Sequence, residues 1–331
     1  MLSADLENWM TNIPEPVRRN VPIIYLAIPG SHDSATYGIN SKSKLAPDAE
    51  DIVKKIYPFI PCFVIRWAKT QKFSFRDQLN SGIRYFDLRV AANDEEDEKV
   101  YFVHGLFCEE VTQPFNELLK FLREHPKEFV ILDFQHFYNF SRQNHHKLII
   151  LILNLFREII FERNRGLLLN QLTLGTAHSL GKQLIIIYRK NLFTIEAFFS
   201  SHEFPTPWAN ATSIRSLKEF LEQRLSGRHP HQGFITQCIL TPDVRFITFR
   251  FYSSLRRACA KKVDKNLSEW IKAQTPGEFK KGEKPTPNIF LADFTDIRNN
   301  NFCKIVVDLN MKLESSFVDN SSVIQVRGLE N

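Results

Sequence analysis

The chain has 331 residues, 43% of them hydrophobic and 24% charged, and a formal net charge of +6. This composition excludes a disordered chain, and the length allows one large α/β domain or two small ones. The charge is too mild to choose between nucleic acid, an anionic lipid surface and a phosphorylated small molecule as the partner.

Seven short apolar runs, rich in β-branched and aromatic residues, predict buried strands along the chain. The runs span 21–28, 83–90, 100–103, 129–134, 184–188, 234–240 and 289–294. Amphipathic segments lie between several of them, at 115–122, 145–162, 212–225 and 264–274. Strands that alternate with helices predict a parallel sheet covered by helices. Because no glycine-rich phosphate loop follows the first run, a nucleotide-binding sheet is disfavoured.

Polar side chains stand at the C-terminal end of nearly every run. In chain order they are His32, Asp87, Arg89, His104, Asp133, Gln135, Arg189, Gln237 and Asp293. In β/α barrels this edge of the strands is where active sites are built. The recurrence therefore favours a β/α barrel over an open doubly wound sheet, with a single polar site at that edge.

Each of these residues alone also has a structural explanation. A histidine at a strand end is often a hydrogen-bonded structural residue, Asp133 could cap the next segment, and Asp87 with Arg89 could form an ion pair. Together they favour catalysis, because one imidazole can accept a proton while another donates one. A guanidinium presents a planar fork to phosphate oxygens. The set predicts displacement at a phosphodiester.

The stretch AIPGSHDSATYGI, at 27–39, places Ser31, His32 and Asp33 side by side. We do not interpret it as a catalytic triad, because successive side chains of an extended chain point to opposite faces. Ser31 is expected to be a turn residue and not a nucleophile.

The N-terminal sequence MLSADLENWMTNIPEP has no apolar run, and the five cysteines lack metal-binding spacing. The strongest apolar stretch, 148–160, is interrupted by Asn154 and Arg157 and predicts a buried helix instead of a membrane span. We expect a cytosolic protein with free thiols and no secretory signal. The basic segment 254–265 predicts a solvated face, with contact to an anionic membrane as the alternative, and nucleic-acid binding is not expected.

Five stretches resemble the catalytic X region of phosphoinositide-specific phospholipase C. They are IPGSHDSATYGI, QLNSGIRYFDLRV, YFVHGL, HPKEFVILDFQHF and NIFLADF. In pattern and length the chain is most similar to the small family of phospholipase C X-domain-containing proteins. The resemblance implies a single α/β domain, a distorted or incomplete (β/α)8 barrel of the TIM type. This catalytic barrel would span 8–315, with 1–7 and 316–331 as terminal extensions.

The resemblance also implies a role for each site residue. His32 is the general base that takes the proton of the inositol 2-hydroxyl, and His104 is the acid that protonates the departing diacylglycerol oxygen. Asp293 orients His32, Asp33 orients His104, and Asp87 belongs to the same catalytic set. The implied substrate is an inositol phospholipid, reached by transient contact with a membrane surface.

Arg89 stands where calcium-dependent animal enzymes of this type have an acidic metal ligand and bacterial enzymes have an arginine. A guanidinium at this place repels Ca²⁺ and substitutes for its charge. The resemblance therefore implies catalysis with no metal and no other cofactor.

The substrate-binding candidates are less regular. Arg189 matches an arginine that contacts inositol, whereas Gln135 and Cys238, which follows Gln237, depart from the bacterial pattern. Trp208, in PTPWAN, is expected in a loop over the barrel mouth, either near the headgroup or packed in the core. The altered pocket leaves a second hypothesis open, a weakly active or inactive barrel that binds inositol phosphates as a regulatory module. The matched acid and base favour the enzyme.

Overall fold

The computed structural model describes residues 1–93, 99–163, 166–190 and 196–314. Within these residues eight strands form one mixed sheet. The strands are β1 (Ile28–Ser31), β2 (Tyr85–Asn93), β3 (Lys99–Val103), β4 (Phe107–Glu110), β5 (Val130–Tyr138), β6 (Leu184–Tyr188), β7 (Ile235–Gln237) and β8 (Ile289–Ala292). The α-helices are α1 (Glu15–Asn20), α2 (Asp51–Ile56), α3 (Pro61–Ala68), α4 (Phe75–Asn80), α5 (Thr112–Glu124), α6 (Arg142–Phe156), α7 (Leu174–Ser179), α8 (Ile214–Ser226), α9 (Val244–Thr248), α10 (Lys261–Lys272) and α11 (Asn301–Asp308).

Six strands are parallel and stand in the order β7–β8–β1–β2–β5–β6. The antiparallel hairpin β3–β4 extends from the C-terminal half of β2. Among the described residues the two outer parallel strands, β6 and β7, are not paired with each other. The predicted α/β class is confirmed, and the strand pairing in this part of the chain leaves the sheet open.

Side-chain alternation gives the parallel strands two different faces. On β2, Phe86 packs in a core shared with the helices, whereas Tyr85 packs in a second core together with Ile131 of β5. Every second residue from Tyr85 onward gives Asp87 and then Arg89 on the same strand. This second face is therefore apolar toward the strand starts and polar toward the strand ends.

Two strand predictions need correction, and one strand was missed. The run 21–28 begins with a 3-10 turn at Ile23–Tyr25 after Pro22, and β1 starts only at the last residue of the run. The run 100–103 forms β3, but it is antiparallel to β2, since only five residues separate the two strands and a parallel return needs a dozen or more. Strand β4 was not predicted, because its sequence FCEE is only half apolar and half buried.

The N-terminal residues 1–7, predicted to be an extension, pack against α11. The backbone N–H and the hydroxyl of Ser3 donate to the two carboxylate oxygens of Asp308 at 2.9 and 2.6 Å. Leu2 is buried. Residues 316–331, the other predicted extension, lie outside the described residues.

The strongest apolar stretch of the sequence lies largely in α6. Leu148, Ile152 and Phe156 are buried along one side of this helix, whereas Ile150 is 43% exposed. No helix in the described part of the chain is long and apolar enough to cross a membrane.

Candidate active site

His32 follows β1 directly and is held from several sides. Its carbonyl oxygen accepts hydrogen bonds from Thr70 Oγ1 and Gln71 Nε2, both at 2.9 Å. Its Nδ1 lies 2.8 Å from Asp293 Oδ1, one residue past β8. Because an ionised carboxylate only accepts, Nδ1 carries the proton, and a neutral ring has its lone pair on Nε2, 3.0 Å from Arg89 Nη2. This is the tautomer that can accept a proton at Nε2.

The chain leaves the extended conformation at Asp33, where φ is 42°. Strand alternation therefore ends at Ser31, and His32 Nε2 lies 3.3 Å from Asp33 Oδ2. The prediction that these two side chains point apart is wrong for this reason. Ser31 is the last residue of β1 and not a turn residue, and its buried hydroxyl donates to Ser34 Oγ at 2.7 Å. That hydroxyl therefore forms a structural hydrogen bond.

Asp33 is the centre of the charged group. Its Oδ1 lies 2.6 Å from Arg89 Nε, and its Oδ2 lies 3.2 Å from His104 Nε2. Among the described residues neither Asp33 oxygen has an aligned hydrogen bond, although the carboxylate is buried. Arg89 Nη2 also lies 3.6 Å from Asp87 Oδ2. One carboxylate thus serves both histidines, and one guanidinium is shared by two carboxylates.

His104 lies in the turn of the β3–β4 hairpin. Its Nδ1 is 2.7 Å from the carbonyl oxygen of Ala68, the last residue of α3, while its Nε2 faces Asp33. Since both neighbours only accept, a ring with protons on both nitrogens suits them, which is the form of a proton donor. The next residue, Gly105, has a φ of 69° and donates its N–H to Asp48 at 2.7 Å. Asp48 thereby fixes the turn that carries His104.

Burial and neighbouring charges act in opposite directions on the pKa values of Asp33 and His32. Burial by itself raises the pKa of Asp33, but Arg89 and the two histidines outweigh it and lower that pKa to about 2. Burial lowers the pKa of His32, but Asp33 and Asp293 outweigh it and raise that pKa to about 9. In the free site His32 is therefore mostly protonated at neutral pH.

A metal ion would find three ligand side chains here. Ligand atoms of His32, Asp33 and Asp87 lie within 4.8 Å of one another. Arg89 already contacts all three of these residues, at 3.0, 2.6 and 3.6 Å. A divalent cation would have to displace or oppose this guanidinium, so the donor set does not fit a metal while Arg89 remains in place.

A second charged group lies beside the first, at the ends of β5 and β6. Arg189 donates from Nε and Nη2 to the two oxygens of Asp133, at 2.8 and 2.6 Å, and from Nη2 to the Phe204 carbonyl at 2.8 Å. The hydroxyl of Tyr85 donates to Asp133 at 2.6 Å, and Gln135 Nε2 donates to it at 3.1 Å. The structure thus brings Arg189 and Gln135 together around a carboxylate.

The other predicted pocket residues lie on β7 and a neighbouring loop. Gln237 Nε2 donates to Thr206 Oγ1 at 2.9 Å, so it supports the loop that contains Trp208. Trp208 is 55% exposed, and its indole donates to Thr241 Oγ1 at 2.9 Å. This places Trp208 at the rim and not within either charged group. Cys238 is buried in the core shared with the helices.

Comparison with known proteins finds relatives over nearly the whole chain. The chain is 34% identical over 312 residues to PI-PLC X domain-containing protein 2 of Mus musculus, covering 93% of this chain and 88% of that protein. It is 31% identical over 317 residues to PI-PLC X domain-containing protein 1 of Homo sapiens, covering 93% of each. The chain belongs to the family of PI-PLC X domain-containing proteins. No family model matches it.

The fold of this X-domain protein is similar to that of a solved bacterial structure. The chain superposes on a variant of the phosphatidylinositol-specific phospholipase C from Staphylococcus aureus with a TM-score of 0.65. The match covers 93% of this chain and 98% of that chain, at 16% identity. The likeness shows that the two chains share an α/β fold.

Sequence reasoning missed one histidine of this X domain. Strand β5 continues to Tyr138, four residues beyond the predicted run, and a register shift after Leu88 pairs His136 with Arg89. Burial and the nearby Arg89 cation lower the pKa of His136. Its only signal in the sequence is the QHF that follows the run, because a register shift cannot be predicted from alternation.

Proposed function

We propose that this chain is a phosphodiesterase of the phosphoinositide phospholipase C type. It cleaves the bond between phosphate and glycerol in an inositol phospholipid, which releases diacylglycerol and an inositol phosphate, cyclic or opened by water. Family membership and the shared fold support the proposal. The sheet then serves as an incomplete (β/α)8 barrel, and the protein meets its lipid by transient contact with the membrane surface.

One observation carries the proposal: two histidines with opposite proton roles stand on either side of one carboxylate. The Nε2 atoms of His32 and His104 both lie within 3.3 Å of Asp33 Oδ2, and the ring centroids are 6.4 Å apart. Asp293 accepts from His32 Nδ1, which leaves His32 Nε2 to act as the proton acceptor. The Ala68 carbonyl and Asp33 both accept from the His104 ring, which suits a proton donor. Such a pair fits a displacement in which a proton leaves the nucleophile while another reaches the leaving group.

In the proposed reaction, His32 Nε2 takes the proton of the inositol 2-hydroxyl as its oxygen bonds to phosphorus. The bond from phosphorus to the glycerol oxygen breaks, and that oxygen receives the Nε2 proton of His104. Asp33 remains ionised beside both rings, since its pKa is about 2. Arg89 stabilises the negative charge that develops on the phosphate oxygens.

We further propose that this reaction needs no metal. Arg89 contacts Asp33 and Asp87 and supplies a fixed positive charge where a cation would otherwise bind. Turnover is then expected in the presence of a chelator, and strict dependence on Ca²⁺ would contradict this part of the proposal.

A phosphoinositide-binding module with little turnover is the second candidate. It is favoured by the raised pKa of His32, because a ring that is mostly protonated at pH 7 is a poor proton acceptor. Tight binding of inositol phosphates without diacylglycerol release would select this function.

The test is diacylglycerol release from mixed phosphoinositide vesicles, measured with chelator and with Ca²⁺. His32→Ala and His104→Ala are each expected to lower the rate by about 10²- to 10⁴-fold, the usual contribution of acid–base catalysis. His146→Ala, at an exposed position of α6, is the matched control and should keep the wild-type rate. Release that neither His32→Ala nor His104→Ala diminishes would overturn the site assignment.

A further inference from the structure

Residues 199–211 lie between the two outer parallel strands, β6 and β7, and form hydrogen bonds to both sides. On the β6 side, the N–H and the carbonyl of Phe199 both bond to backbone groups of the strand, at 2.8 Å. On the β7 side, the N–H of Ile235 donates to the Pro205 carbonyl at 3.0 Å. We call 199–211 the bridging segment, because it joins two strands that do not pair with each other in the described part of the chain.

The sequence of the bridging segment favours an extended backbone with few donors. Phe204 and Thr206 each precede a proline in FPTPWAN, and a residue before proline is restricted to extended conformations. Pro205 and Pro207 have no N–H, so neither can leave a donor unpaired between the strands. The segment can therefore cross from β6 to β7 without regular secondary structure.

Two side chains fasten the bridging segment at the edge of the sheet that carries the two histidines. Arg189, which is held by Asp133, donates from Nη2 to the Phe204 carbonyl at 2.8 Å. Gln237, the last residue of β7, donates from Nε2 to Thr206 Oγ1 at 2.9 Å and to the Thr206 carbonyl at 3.2 Å. Because a carbonyl only accepts, the amide atom that faces Thr206 is Nε2. The amide oxygen of Gln237 has no hydrogen-bond partner among the described residues, so it can accept from a hydroxyl of a bound ligand.

A close contact at Gly233 sets the distance between the bridging segment and β7. The buried ring of Phe204 meets Phe199 edge to face, with centroids 6.0 Å apart, and it occupies the place that a Cβ of residue 233 would take. The φ of Gly233 is not positive, so glycine is needed here for space and not for backbone conformation. An added methyl group would therefore push the segment, including Thr206, away from β7.

We propose that the bridging segment positions the part of the pocket that binds the inositol headgroup, with Thr206 as the positioning residue of Gln237. This inference rests on the proposed function, which requires a headgroup that carries hydroxyls. Thr206 holds the Gln237 amide so that its oxygen remains available as an acceptor, and Arg189 ties the segment to the site through Phe204. Because the acid and the base lie on other strands, the segment affects how tightly the substrate binds and not the chemical step.

Gly233→Ala tests the proposal, with a soluble short-chain inositol phosphodiester as the substrate. Displacement of the segment is expected to raise KM about tenfold or more, because several hydrogen bonds around the pocket are lost together. The change in kcat should be less than about twofold, since binding is lost equally in the ground state and the transition state. Gly227→Ala is the matched control and should keep the wild-type KM, because its Cβ would meet only the Arg224 carbonyl, at 3.7 Å.

Thr206→Val is a second test, which keeps the shape of the side chain and removes the hydroxyl that accepts from Gln237. KM is expected to rise about fivefold, the net contribution of one hydrogen bond. Thr206→Ser retains the hydroxyl and should restore most of the affinity. Thermal melting verifies that each variant folds, and Thr206→Val decides alone if Gly233→Ala does not fold. Calorimetric binding of myo-inositol 1-phosphate repeats the comparison without turnover.

The two readouts separate this proposal from the proposed function. If the wild type shows no turnover, weaker inositol phosphate binding by Gly233→Ala and Thr206→Val would keep the role of the bridging segment and refute the enzyme. Turnover with an unchanged KM in both variants, or a loss confined to kcat, would overturn the positioning role and leave the enzyme intact. A wild type that neither turns over the phosphodiester nor binds the inositol phosphate would overturn both.

Discussion

Two buried pairs of carboxylate and guanidinium lie side by side in this molecule, and they are built differently. Arg189 meets Asp133 through two aligned hydrogen bonds, and its side chain is 9% exposed. Arg89 meets Asp33 at 2.6 Å without such alignment, and its side chain is 22% exposed. The first pair, called the closed pair here, satisfies its own hydrogen bonds. In the second, the open pair, Asp33 Oδ1 and Oδ2 and Arg89 Nε are buried without aligned partners, while the rest of the guanidinium is more exposed. Hydrogen-bond geometry thus separates two pairs that residue type cannot distinguish.

The pKa values of the two carboxylates differ between the closed and the open pair. Burial raises the pKa of Asp133, even though Arg189 opposes this. Asp33 is equally buried, yet its pKa falls to about 2 because Arg89 and two histidines surround it. A carboxylate that must remain ionised during proton transfer needs such surroundings, whereas a carboxylate that only anchors an arginine does not.

The sharpest test of the open pair is Arg89→Lys, which keeps the charge and removes the planar fork. We expect the rate of diacylglycerol release to fall by about 10²- to 10³-fold, the usual cost of removing a donor aimed at developing charge. Thermal melting should change little. A variant with nearly the wild-type rate would mean that Arg89 is as structural as Arg189.

Disruption of the closed pair should lower the stability of the fold. Arg189→Ala leaves Asp133 buried without its cation, which is expected to lower the free energy of unfolding by about 3 to 5 kcal/mol. Denaturant titration measures this, and Arg215→Ala, on the exposed surface of α8, should change it by only about 0.5 kcal/mol. Normal stability combined with a raised KM would instead support the substrate-binding role that the family resemblance implies for Arg189.

The pH dependence of kcat/KM tests whether Asp33 raises the pKa of His32. A base works unprotonated and the acid His104 works protonated, so the profile should be bell-shaped. The pKa of His32 is raised to about 9, so one limb should lie near that pH. Asp33→Asn removes a carboxylate that raises this pKa. That limb should therefore move toward lower pH, and the maximum should fall because His104 loses its partner. A wild-type profile without a limb near 9, or a limb near 9 that Asp33→Asn does not move, would contradict the assignment.

The smallest effect is expected for His136, the third histidine at this edge. Burial and Arg89 lower its pKa, which disfavours the imidazolium form that a general acid needs. His136→Gln should change the rate of diacylglycerol release by less than about tenfold, well below the range for acid–base catalysis. A loss as large as that of His104→Ala would show that His136 takes part in catalysis beside His32 and His104.

The sequence by itself determined the family, the α/β class, most of the strands and the candidate site residues. It could do so because buried strands are read from apolar runs, and because the C-terminal ends of parallel strands meet at one edge. His32, Arg89, His104 and Asp293, which are distant in the chain, are accordingly found together.

Only the tertiary structure decided which charges pair. Asp33 turns toward both histidines because the backbone leaves the strand at a positive φ, and His136 faces Arg89 because the register shifts. Trp208 lies at the rim because its indole reaches Thr241. Such features depend on contacts between segments far apart in sequence, so local patterns contain no signal for them. The sequence thus named the groups, and packing decided which of them remain open to a ligand.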